Sequence, residues 1–223
     1  MKITLVFATK LEAVAFINHF DLKPHQSYNN LYVNGDLHLL ITGIGMLQTA
    51  THLMHYALHF NSNFYFNLGI AGAFNRTIAL TEVVQVNSET YGDFGVENDE
   101  EFEDFFEMGF LEQSTDVFSY GLCRPIIDKI HEKIALRKVS SITVNKVHGN
   151  EKNIAIIQEK YKADIENMEG LAFYYVLNVM QKPSIEIRSI SNYVEKRNKN
   201  NWKIKEAIDT LLLAFLEIYT NIK

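Results

Sequence analysis

The sequence predicts an α/β fold: a single domain spanning residues 1–223, with three layers α/β/α around a mixed, largely parallel central sheet. Two observations carry this reading. Short apolar, β-rich runs alternate along the chain with longer segments of helical period, and the connections between them are short. No linker and no internal repeat divides the 223 residues, a length that suits one such unit.

The elements follow in order. "KITLVFA" reads as a buried strand and "TKLEAVAFINHF" as the helix after it. "LYVN" and "LHLLITG" flank the turn Asn34-Gly35-Asp36 and read as a hairpin. "GMLQTATHLMHYALHF" has helical spacing, and "FYFNLGIAGAF" is a strand running into a Gly-rich turn. "EVVQVNSETYGD" and "SSITVNKV" are further strands, and "NEKNIAIIQEKY" is a helix. "ADIENMEG" leads a short strand into the helix "GLAFYYVLNVM". "SIEIRSISNYV" is a strand, and "WKIKEAIDTLLLAFLEIYTNI" a closing helix with apolar residues at i, i+3, i+4 and i+7. The acidic, aromatic stretch from Gly95 to Gly121 has no clean period and reads as an insertion or mobile loop outside the main sheet.

A net charge of -6 argues against a phosphate-backbone ligand, so no nucleic-acid partner is expected. The basic residues between Lys196 and Lys205 are interrupted by asparagines and read as a solvated loop. The single cysteine, Cys123, cannot close an intramolecular disulfide, which fits a reducing compartment. Thr9, Lys10 and Glu12 break the apolar N-terminal run, and no stretch of about 18 apolar residues occurs. A cytoplasmic protein without membrane contact is the expectation. His52, His55 and His59 share a helical face, but no carboxylate or cysteine joins them, so no metal site is expected.

In open α/β sheets, ligands sit beyond the carboxyl ends of strands. The polar residues there are Glu12, "TGIG" at Thr42–Gly45, "LGIAG" at Leu68–Gly72, "ETYGDFG" at Glu89–Gly95, Met168-Glu169 and Ser191-Asn192. Each also has a plain structural reading. Glu12 suits the first turn of a helix, where a carboxylate favours the dipole. The Gly-rich pieces suit tight turns, and Asn192 suits a turn that bonds its own backbone. Gly43 and Gly45 lack the third glycine of a dinucleotide fingerprint. Glu169 is the most pointed case, because it opens an otherwise apolar run and a buried glutamate needs partners.

Taken together, "NLGIAGAF", "ETYGDFGVEND", "TVNKVHGNE", "ENMEGLAFYYV" and "IRSISNYVEKRNKNNWKIKEAI" resemble the nucleoside phosphorylase and nucleosidase superfamily. Within it they look most like futalosine hydrolases, the nucleosidases of the alternative menaquinone route. The likeness runs from "MKITLVFATKLEA" to the last helix. It implies hydrolysis of the N-glycosidic bond of a hypoxanthine nucleoside, without metal or organic cofactor, by a homodimer or higher homo-oligomer.

The resemblance also implies roles. Met168 packs on the ribose and Glu169 accepts hydrogen bonds from its hydroxyls, a task that suits an acceptor-only carboxylate. Glu12 orients the attacking water. Asn192 meets the purine where methylthioadenosine nucleosidases carry Asp, and an amide suits a 6-oxo group better than a 6-amino group. Rejecting the wrong base by leaving a buried polar group unpaired is worth about 1–3 kcal/mol. Ile70, Ala71, Gly72, Thr143 and Asn145 are further candidate substrate-binding residues, and His148 is a candidate without a role. "ETYGDFG" and Phe102, Phe105, Phe106 and Phe110 are candidates to meet the carboxylated aromatic tail that such a substrate carries. Arg76 and Arg188 are the arginines placed to form a phosphate site, if the chain were a phosphorylase.

Overall fold

Residues 1–99 and 101–223 are described by a computed structural model. The elements are β1 (Ile3–Phe7), α1 (Lys10–His19), β2 (Lys23–His25), β3 (Tyr28–Asn34), β4 (Leu37–Ile41), α2 (Met46–His59), β5 (Phe64–Ala73), β6 (Val83–Tyr91), β7 (Gly95–Asn98), β8 (Glu101–Asp104), β9 (Phe118–Ser119), β10 (Leu122–Cys123), β11 (Arg137–Thr143), α3 (Glu151–Tyr161), β12 (Ile165–Asn167), α4 (Gly170–Val179), β13 (Ser184–Tyr193) and α5 (Ile204–Ile222).

The sheet is mixed. Parallel pairs join β1 to β4 and β5, β5 to β13, and β11 to β6 and β12. Antiparallel pairs join β12 to β5 and β13 to β6. These pairings close a ring, β5-β13-β6-β11-β12-β5, with β1, β4, β3 and β2 as an open wing. Closure removes the free edges that an open sheet would expose at these strands.

Helices cover both faces because the strands carry apolar residues on both. On one face Phe16 of α1 and Phe215 of α5 meet with ring centroids 5.7 Å apart, packed with Leu5, Phe66 and Ile187. On the other face Leu53 and Tyr56 of α2 and Phe173 and Leu177 of α4 join Val84, Val86 and Ile190. Ile185 and Ile187 fall to the first face and Ile190 to the second, as strand alternation requires. A smaller cluster holds α3 through Ile154 and Ile157 against Ile142 and Val144.

The acidic, aromatic segment is partly as expected. β7 and β8 form a separate two-stranded sheet. Its far end departs from the expectation: β9 pairs β10, and β10 pairs β6, so Phe118–Ser119 belongs to the main sheet. Packing explains the return, since Phe118 meets Phe106 and Tyr91 in the core. Glu100, within that segment, lies outside the described residues. Among the described residues no helix is long and apolar enough to cross a membrane.

Candidate active site

The carboxyl ends of β1, β5, β12 and β13 border one cavity of about 350 Å³. Its lining includes Glu12, Ile70, Ala71, Gly72, Met168, Glu169 and Asn192, so seven of the residues singled out in the sequence converge there.

Glu12 is built in by two constraints. Thr9 caps α1 by accepting from the Glu12 N–H at 3.3 Å, and its hydroxyl donates to Glu12 Oε2 at 2.6 Å. The Ile70 N–H at the end of β5 donates to Glu12 Oε1 at 3.2 Å. The carboxylate therefore serves the first helical turn and also faces the cavity, although it is only 7% exposed.

Glu169 ends the loop from β12 into α4. The Asn167 side chain caps this helix, its Oδ1 accepting from the N–H groups of Glu169 at 2.9 Å and Gly170 at 2.7 Å. Glu169 Oε1 accepts from the Gly45 N–H at 3.1 Å, and Oε2 lies 3.7 Å from Arg188 Nη1. Burial pushes the Glu169 carboxyl upward, while Arg188 and the Gly45 amide oppose that shift.

Arg188 is wholly buried behind the cavity. Its Nε donates to Glu186 Oε1 at 2.8 Å, and although burial works against its charge, the combined field of Glu186, Glu169 and Glu12 outweighs burial and raises its pKa. Gly69 makes room for it, since a Cβ there would collide with Arg188 Nη1. Behind Arg188, Asn167 Nδ2 shares its two hydrogens among Glu89 Oε1 at 2.6 Å, Ser141 Oγ at 2.8 Å and Glu186 Oε1 at 3.2 Å. Four strands of the ring thus contribute polar side chains to one buried network, and β5 contributes the gap at Gly69.

The far wall is a row across three strands. Gly72 of β5 is the register partner of Glu166 on β12 and of Asn192 on β13. Its missing side chain leaves the space between them: a Cβ there would lie 3.2 Å from Asn192 Nδ2 and 3.7 Å from Glu166 Cγ. The register shift between Ile190 and Asn192 marks a bulge, which re-aims side chains at a strand end. Ser191 Oγ donates to Asn192 Oδ1 at 2.8 Å, and Asn192 Nδ2 donates to the Tyr193 carbonyl at 3.0 Å. These bonds orient the amide.

Other candidates lie elsewhere. Thr143 is fully buried and absent from the lining; its hydroxyl donates to Glu89 at 2.7 Å and accepts from the Leu171 N–H at 2.8 Å. Asn145 binds Asp93 through its backbone and side chain, away from the cavity. Phe102, Phe105, Phe106 and Phe110 do not line it either. Phe105 packs on Phe94 and Phe110, and Phe106 on Phe118, because an aromatic-rich excursion from the sheet must bury its own rings. At the mouth stand Trp202 and Arg197, with the guanidinium 5.6 Å from the indole centroid. Neither was singled out from the sequence, where Arg197 reads as part of the solvated basic stretch. Neither Arg76 nor Arg188 is free for phosphate: Arg76 pairs with Glu195 at 2.8 Å and stacks on Tyr193 at 4.3 Å. Among the described residues no group of three His, Cys, Asp or Glu side chains is arranged to hold a metal.

Known proteins share this fold. The Phosphorylase superfamily model matches residues 2–217. Futalosine hydrolase from Thermus thermophilus is 27% identical over 179 residues, covering 78% of this chain and 77% of that protein. Among solved structures, native futalosine hydrolase of Helicobacter pylori superposes with a TM-score of 0.82 at 13% identity, covering 99% of this chain and 97% of that one. The methylthioadenosine/adenosylhomocysteine nucleosidase of Colwellia psychrerythraea, in complex with adenine, superposes with a TM-score of 0.83 at 16% identity, covering 100% and 96%.

Proposed function

Because the chain belongs to the phosphorylase superfamily, we propose that it hydrolyses the N-glycosidic bond of futalosine, releasing hypoxanthine and supplying the alternative route to menaquinone. The observation that carries this reading is the convergence of Glu12, Glu169 and Asn192 on one cavity.

Breaking the C1′–N9 bond builds positive charge on the sugar and negative charge on the base. Glu12, held by Thr9 and Ile70, presents an anion to water attacking the anomeric carbon. Glu169 accepts from the ribose hydroxyls, and Met168 supplies an apolar wall beside it. Asn192, half-buried, retains one amide hydrogen for a 6-oxo group. Hydrolysis is favoured over phosphorolysis because both candidate arginines are spoken for by carboxylates, and a phosphate next to Glu12 would be repelled.

Self-association belongs to the same reading. Leu11 and Ile44 line the cavity mouth yet are 64% and 55% exposed, so a second chain would both cover them and complete the pocket.

Incubation with futalosine, inosine and methylthioadenosine in phosphate-free buffer tests the proposal. Hypoxanthine release from futalosine is the expected result. Adenine release instead would assign a methylthioadenosine-type nucleosidase, and binding without base release would assign a nucleoside-binding protein. Glu12→Gln is expected to lower kcat by about 10²–10⁴-fold with ligand affinity retained; a variant as active as the parent would remove Glu12 from its role.

A further inference from the structure

An amide cannot act as a general acid at neutral pH, so Asn192 leaves the departing base without a proton source. The structure places a candidate on the same cavity. His148, on the loop after β11, lines the same cavity, and its side chain is 8% exposed. Glu166 grips it twice: the His148 N–H donates to Glu166 Oε1 at 3.1 Å, and His148 Nδ1 donates to Oε2 at 2.6 Å. Glu166 is itself 4% exposed and belongs to the Glu166-Gly72-Asn192 row. Nδ1 is therefore committed to a carboxylate. Among the described residues no protein group hydrogen-bonds Nε2.

A buried carboxylate that orients an imidazole at a cavity wall is how proteins fix the tautomer of a histidine that moves protons.

We propose that His148 is the general acid of the reaction and that Glu166 is its positioning residue. The inference rests on the nucleosidase reading above. As the C1′–N9 bond breaks, its electron pair passes to the purine. In the reacting state His148 carries a proton on each ring nitrogen, Nδ1–H held by Glu166, and the Nε2 proton passes to purine N7, directly or through one water. The water oxygen bonds C1′, and its proton passes to Glu12. Proton return from Glu12 to His148 through solvent restores both, so that nucleoside and water become free base and free sugar. Asn192 holds the 6-oxo group throughout.

The test is leaving-group dependence. 4-Nitrophenyl riboside departs without protonation, whereas hypoxanthine requires it. His148→Gln is expected to lower kcat for the hypoxanthine nucleoside by about 10²–10⁴-fold and to leave kcat for the nitrophenyl riboside within about threefold of the parent. Glu166→Gln, which preserves the shape of the contact, should show the same selectivity with a smaller loss. Glu12→Gln should lower both substrates together, because both need the water. An equal loss on both substrates in His148→Gln, or no loss on either, overturns the assignment while the hydrolase reading stands. If the parent enzyme releases no hypoxanthine at all, the functional reading fails and this inference falls with it.

Discussion

Glu89 touches neither cavity nor solvent, yet it sits under the site with Thr143 and Asn167 as donors. Burial first, and the neighbouring Glu186 second, push its carboxyl well above 4.5. Burial also raises Glu186, but Arg188 donates to Glu186 and opposes the shift, so Glu89 is the member of the pair held further above the usual carboxylate range. The folded state then binds a proton that the unfolded chain releases near pH 4.5. Stability from this group is full below that pH and falls as pH rises toward the folded value, at up to about 1.4 kcal/mol per pH unit. Glu89→Gln mimics the neutral acid and removes this dependence. Urea unfolding between pH 4.5 and 8 is expected to show the parent losing stability relative to Glu89→Gln as pH rises; parallel profiles would mean that Glu89 is ionised in the folded protein.

At the scale of elements, the turn from β12 into α4 does two jobs with one side chain. Asn167 Oδ1 caps α4, and Asn167 Nδ2 ties that cap to β6, β11 and β13 through Glu89, Ser141 and Glu186. Asn167→Ala removes the cap and leaves buried acceptors unpaired. The expected destabilisation is at least about 1–3 kcal/mol, read in urea unfolding. KM should rise as well, because Glu169 hangs from the same turn; an unchanged KM would separate the cap from sugar binding.

The same elements show what the sequence made legible. Alternating runs such as "FYFNLGIAGAF" and "SIEIRSISNYV" declare strands because each carries its own period. Closure of five strands into a ring is set by pairings far apart in sequence, which no local period reports. Glu12, Met168, Glu169 and Asn192 reach the cavity because each stands where a strand ends, the first three at the start of the following helix. Thr143 stands at a strand end as they do, but β11 turns its hydroxyl toward Glu89 and α4, a direction that no local period reports. The buried network left a faint trace in Glu186 and Arg188, charges at alternate positions of an apolar strand. Glu166 and His148 left less, since their pairing spans 18 residues and depends on a loop fold.

For the whole molecule, the strongest unanswered demand of the surface is apolar. Leu47 opens α2 at 81% exposure, next in space along the chain to Ile44 at the cavity mouth, and Leu58 near the end of the same helix is 66% exposed. Large exposed side chains gathered on one helix and a pocket rim mark a surface that another chain covers. On the proposed reading a second copy of this chain would meet the demand, because one contact would cover α2 and the rim residue Ile44 together. Sedimentation is expected to give twice the mass of one chain. Leu47→Glu sets like charges against each other across such a contact without touching the core. It should shift the protein toward the monomer, leave the melting temperature of the monomeric fold nearly unchanged, and raise KM more than it lowers kcat, because the mouth and not the reacting centre is opened. A monomeric parent with full activity would instead show that one chain encloses its substrate alone.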